Sequence, residues 1–94
     1  MIKRFRSNAL RDAFRGELRR ITPNLRQRVT DILDALENAQ SLVDLENVVG
    51  FDSLSGDRAG TYAVTLTRNH RITFVPEPEG DVFHVSRVDI EDYH

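Results

Sequence analysis

The chain has 94 residues, 30% of them charged, with no cysteine and a formal net charge of −2. That length holds one domain, residues 1–94, with a modest core. The lack of thiols excludes disulfides and thiolate metal centres and points to a reducing compartment, the cytoplasm. No apolar run approaches the ~20 residues of a membrane span, and no apolar stretch follows the basic opening to make a secretory signal.

Residues 2–5 read as a short first strand. Ser7 is placed to cap a helix in which Leu10, Phe14 and Leu18 recur every four residues, with Arg11, Arg15 and Arg19 on another face; Gly16 interrupts it. Thr22-Pro23 predicts a second helix start, a capping hydroxyl followed by proline at the first helical position. Leu25, Val29, Ile32, Leu33 and Leu36 then trace one apolar face to about residue 39. Arg26 and Arg28 stand in its first turn, where the helix dipole opposes them. Ser41 is placed to cap one further turn carrying Leu42 and Leu45.

After Gly50 the pattern changes to strand. Residues 51–55 are a short strand and 56–60 a turn. Residues 61–67 alternate, with Tyr62, Val64 and Leu66 on one face. Arg68-Asn69-His70 is a tight hairpin connection. Residues 71–75 alternate again with Ile72 and Phe74 inward, 76–81 form an exposed loop, and the last strand runs from 82 to about 90. Helices followed by an antiparallel meander predict an α+β domain: two N-terminal helices packed on one sheet face, over Tyr62, Val64, Leu66, Ile72 and Phe74. Period two then puts Thr65, Arg71 and Thr73 on the opposite, open face.

Charge is unevenly spread. Residues 1–28 carry nine basic and two acidic side chains, residues 29–94 four basic and thirteen acidic. The basic part is either a face for a polyanion or an acidic partner, or a solvated helical surface. No phosphate loop or nucleophile elbow is present, and His70, His84 and His94 have no metal-ligand spacing, so neither a metal nor a cofactor is expected. The residue types that remain for chemistry are Arg71 with Asp92-Tyr93-His94. Cutting RNA without a metal needs a base for the 2′-OH, an acid for the leaving 5′-oxygen and positive charge at the phosphorane. His94 titrates near neutrality, Tyr93 is a hydrogen-bond donor, Asp92 orients a base or acts as one, and Arg71 clamps phosphate through two N–H groups.

Several segments, in order, resemble the RelE/HigB-type toxins of bacterial type II toxin–antitoxin pairs, specifically the HigB branch. They are Met1-Ile2-Lys3-Arg4-Phe5 with Leu10-Arg11-Asp12-Ala13-Phe14; Leu33-Asp34-Ala35-Leu36 with Ser41-Leu42-Val43-Asp44-Leu45; Leu54-Ser55-Gly56-Asp57-Arg58-Ala59-Gly60-Thr61-Tyr62; Asn69-His70-Arg71-Ile72-Thr73-Phe74; and Asp92-Tyr93-His94. The resemblance runs nearly end to end and implies a RelE-like fold and a ribosome-dependent mRNA endonuclease that inhibits translation and arrests growth. It implies a neighbouring HigA-type helix-turn-helix antitoxin as partner, with operator DNA bound only through that antitoxin. Catalytic roles carry over to Arg71, Asp92, Tyr93 and His94, and RNA contacts to Arg58, Arg68 and His70. Asp52 and Ser55 stand where many relatives have His and Lys, and His70 where they have Trp. A mild toxin is therefore expected; the alternative is a weakened homologue that acts mainly as an antitoxin-binding co-regulator.

Overall fold

The computed structural model describes residues 1–92. Helix α1 (Asn8–Phe14) opens on Ser7, whose hydroxyl oxygen accepts the Leu10 N–H at 3.1 Å. This is the cap expected of that residue. The helix ends at Phe14, and Gly16, at φ 96°, turns the chain away. Leu18 therefore lies beyond the helix instead of on its face.

Thr22 makes no side-chain cap; Pro23 starts a 3₁₀ turn, Pro23–Leu25, and α2 (Arg26–Asn38) follows it. Helix α2 buries Val29, Ile32, Leu33 and Leu36, the stripe read from the sequence. Its two first-turn arginines have carbonyl partners that explain their position. Arg26 Nε donates to Ile21 O at 3.0 Å, and Arg28 Nη2 donates to Val49 O at 2.6 Å and Thr65 O at 3.0 Å. The Arg28 bonds tie the start of α2 to the segment at Val49 and to Thr65. At Gly50 (φ 86°) a Cβ would stand 3.1 Å from Thr65 Cβ, so glycine is what lets the two segments approach. Helix α3 (Leu42–Glu46) adds a short turn that buries Leu45.

Four antiparallel strands follow in the order β1-β2-β3-β4: β1 (Phe51–Ser53), β2 (Tyr62–Thr65), β3 (His70–Pro76) and β4 (Val85–Asp92). One face of this meander shares a core with the helices, in which Leu10, Val29, Ile32, Leu33 and Leu36 meet Val64, Leu66, Ile72, Phe74, Val85 and Val88. Phe51, Tyr62 and Phe74 stack across three strands, at 5.6 and 6.0 Å between ring centres. The α+β expectation and the inward set on β2 and β3 thus match the structure. No described helix is long and apolar enough to cross a membrane.

Two further features differ from the sequence reading. Residues 2–5 are not a full strand. They lie parallel to the outer edge of β4 through two isolated bridges, Ile2 with Val85 and Phe5 with Val88. Lys3 N donates to Val85 O at 2.8 Å and Arg6 N to Val88 O at 2.8 Å, while Val85 N and Val88 N donate back to Met1 O and Arg4 O. The two bridges flank the irregular stretch of β4.

The second difference is that irregularity. Thr73 pairs with Asp89 and Val75 with Ser86, so β4 has two residues, Arg87 and Val88, where β3 has only Phe74. This is a β-bulge. Arg87 takes the left-handed conformation, φ 53°, which is uncommon for a residue with a side chain. The extra residue changes parity along β4. Val85 before it and Val88 after it are both fully buried, although an odd number of steps separates them.

Deleting Arg87 should swing one half of β4 the wrong way round and lower stability by at least about 3 kcal/mol in urea unfolding. Arg87→Gly keeps the residue count and relieves the positive φ, so it should be at least as stable as wild type. A deletion variant of wild-type stability would show that the extra residue does not set the face of β4.

Candidate functional site

The sheet face away from the helices is where the described ionic side chains of the strands converge. Register puts Arg71 opposite Glu91, Thr73 opposite Asp89 and Val75 opposite Ser86, all on this face. Ala63 pairs with Thr73 from the other side. The face is not bare: Ala63, Thr73 and Ser86 are 4%, 2% and 3% exposed. Longer charged side chains lie over these small residues.

At the centre is a carboxylate held by two arginines. The 3₁₀ turn Gly56–Arg58, between β1 and β2, brings Arg58 over the sheet. Its guanidinium grips Glu91 in bidentate fashion, Nη1 to Oε1 at 2.8 Å and Nη2 to Oε2 at 2.6 Å. Arg71 Nη2 reaches Glu91 Oε1 at 3.3 Å, and the Thr73 hydroxyl donates to Oε2 at 3.4 Å. The hydrogen bonds from Arg58 hold the Glu91 carboxyl down, from an ordinary 4.5 to about 2; the charge of Arg58 and the contact with Arg71 add to this, while partial burial opposes it. The same pairing raises the pKa of Arg58. Beside this group lies a cleft of ≈ 190 Å³ whose lining includes Arg6, Arg58 and Arg87 against Asp57, Asp89 and Glu91.

The sequence-predicted residues fall into three places. Arg71 and Arg58 come together on the open face through Glu91. Arg68 is exposed in the connection between β2 and β3. His70 pairs with Asp92 in register one step beyond Arg71 and Glu91, which puts both on the helix side of the sheet. His70 lines an apolar cleft there with Ile21, Leu25 and Ile90. Asp92 is thus separated from Arg71 by the sheet itself. Tyr93 and His94 lie outside the described residues.

His70 also has a structural tie. Thr67 Oγ1 accepts the N–H groups of Asn69 and His70 at 3.2 and 3.0 Å and lies 3.0 Å from His70 Nδ1. Asp52, opposite Ala63 in register, is an exposed acid on the open face.

Sequence reasoning missed Glu91, Arg6 and Arg87 as parts of this face. The available signal was Asp89-Ile90-Glu91, in which the acids flank a core residue; the bulge hid its relation to Val85.

Glu91→Gln should lower stability at neutral pH by about 1–2 kcal/mol, a figure that allows for the screening of a partly exposed pair. The carboxyl is depressed in the folded state, so its stabilisation is complete above pH 4.5 and is lost as pH falls toward about 2. Urea unfolding of both proteins across that window should show the gap closing toward acid. A gap independent of pH would mean the ion pair is not its source.

No family model and no curated protein matches the sequence. Solved structures do match. A YoeB/ParE toxin from Agrobacterium tumefaciens is similar with a TM-score of 0.63 at 15% identity, over 99% of this chain and 98% of that one. A YoeB-YefM complex from Staphylococcus aureus is similar with a TM-score of 0.56 at 14% identity, over 100% of this chain and 98% of that one. The chain therefore shares, over almost its whole length, the α+β fold of these YoeB-type toxins, with Arg58, Arg71 and Glu91 gathered on the sheet face that its helices leave open.

Proposed function

We propose that this protein is the toxin of a type II toxin–antitoxin pair and a metal-independent endoribonuclease, of the HigB branch, that cuts mRNA on the ribosome in the cytoplasm. One observation carries the reading: Arg58 and Arg71 converge on the open sheet face of a fold shared with YoeB/ParE toxins. Two arginines aimed at one anion are suited to hold a phosphodiester and to stabilise charge as its phosphorus becomes five-coordinate.

In this proposal Arg71 and Arg58 clamp the scissile phosphate, and Arg68 contacts RNA at the hairpin. Tyr93 and His94 supply the proton transfers at the 2′-OH and the leaving 5′-oxygen. Asp92, on the helix side with His70, acts on the tail it precedes and not on the phosphate. One neighbour is a complex of YoeB with YefM; the partner proposed here is a HigA-type helix-turn-helix antitoxin, through which alone the protein reaches operator DNA.

A second reading has its own observation. Glu91 offsets one of the two arginine charges and Asp52 adds an acid to the same face, which weakens attraction to RNA. It describes a mild toxin or, at the limit, a co-regulator that binds antitoxin without cutting.

Induction without an antitoxin, followed by primer extension on cellular mRNA, separates the two readings. New 5′ ends within translated mRNA are expected, and Arg71→Ala should reduce them by about 10²-fold. Intact mRNA with undisturbed growth would leave the co-regulator reading. Cuts that persist undiminished in Arg71→Ala would remove Arg71 from the site.

A further inference from the structure

Glu91 is a peculiar occupant for a phosphate-binding face. It receives both arginines and the Thr73 hydroxyl on its two oxygens. Two anionic oxygens on one central atom, facing two guanidinium groups, are also what a phosphodiester offers through its non-bridging oxygens. We propose that Glu91 is a built-in competitor for RNA: its carboxylate fills the phosphate subsite between Arg58 and Arg71, and an RNA phosphate binds by displacing it. This rests on the reading that the open face takes RNA.

Four observations support the displacement. The pair is reachable: the side chains of Arg58, Arg71 and Glu91 are 44%, 21% and 22% exposed. The ≈ 190 Å³ cleft beside the pair gives an incoming group a place to stand, with Arg6 and Arg87 on its walls. The cleft's three cations are matched by its three acids, Asp57, Asp89 and Glu91, so at rest it exerts little net pull on a polyanion. Finally, a carboxyl held near 2 is not released by any proton in the physiological range. Only another anion can take the arginines from it. The subsite is therefore closed to weak, isolated anions and opens to a ligand that brings further contacts along a chain, as single-stranded RNA does.

The test measures binding of a single-stranded RNA oligonucleotide by fluorescence anisotropy at fixed salt, with the full chain. Glu91→Gln keeps the shape and removes the charge, and should tighten binding by about tenfold. Asp89→Asn removes an equal charge from the same cleft without freeing the two arginines, and should change binding by no more than about twofold. Thermal melting establishes that each variant is folded. Should Glu91→Gln not fold, Glu91→Asp draws the carboxylate back by one methylene and should tighten binding by about threefold.

Binding by Glu91→Gln that is equal to or weaker than wild type overturns the competitor role and makes Glu91 a residue that merely positions the arginines. Equal tightening by Asp89→Asn overturns it as well, since general charge would then explain the effect. Tightening toward an acidic partner protein but not toward RNA does the same. Arg58→Ala keeps the underlying reading separately testable. If it binds RNA as well as wild type, the open face is not the RNA face; if it binds about tenfold more weakly while Glu91→Gln is unchanged, the reading stands and only the competitor role falls.

Discussion

A strand that is buried on one face allows a single phase for its side chains, and β4 uses two. Before Arg87 the inward residue is Val85; after it the inward residues are Val88 and Ile90. The left-handed turn at Arg87 absorbs the one residue that makes this possible. Everything on the open face follows from that shift. It sends Asp89 and Glu91 outward, sets Glu91 directly across from Arg71, and lets the same strand keep Phe74 sealed under Val88. The contact with residues 2–5 falls on either side of it, as two separate bridges. A site that depends on three residues from three different segments depends, through β4, on the conformation of a fourth.

The charges on that face are arranged to be satisfied in the absence of a ligand. Small residues lie beneath them: Ala63, Thr73 and Ser86 are buried, and the ion group of Arg58, Arg71 and Glu91 spans the sheet above Thr73. Arginine suits this because its planar fork binds a carboxylate and a phosphate with the same geometry. The basic surface of the N-terminal part is used differently. Arg11 and Arg20 both lie near Asp12, while Arg26 and Arg28 bind backbone carbonyls. Much of the asymmetry that looks like a polyanion surface in the sequence is therefore engaged locally, in caps and loop ties.

The core was legible because its signals are local and periodic. Val29, Ile32, Leu33 and Leu36 stand at helical spacing, and Val64, Ile72 and Phe74 at alternating positions; all are buried. The cap at Ser7 and the stop at Gly16 were also written in single residues. Arg71 could be placed on the open face for the same reason. What was not legible depends on pairing between distant segments. Nothing in Val85-Ser86-Arg87-Val88 says which residue is extra; β3 decides that. Thr22-Pro23 carries a strong helix-start signal, yet the chain makes a 3₁₀ turn first. Arg58 and Glu91 are 33 residues apart, and no spacing rule connects them. Asp92 follows the same alternation: it stands two steps after Ile90 and pairs with His70, on the face away from Arg71.

The segment along β4 has a consequence for how another protein can hold this one. A sheet usually offers its edge strands as templates, and a partner can add a strand of its own through backbone hydrogen bonds. Here the outer edge of β4 is already engaged by the bonds among Met1, Lys3, Arg4 and Arg6 and the valines at 85 and 88. The opposite edge, β1, is three residues long and carries the exposed Asp52 and Ser53. Such an edge offers a short and polar template. Strand addition is thus blocked along residues 85–88, and at β1 it finds only a three-residue template. A partner at either place reads side chains, from the open face or from the helices, and its specificity is written in charge and shape instead of in backbone.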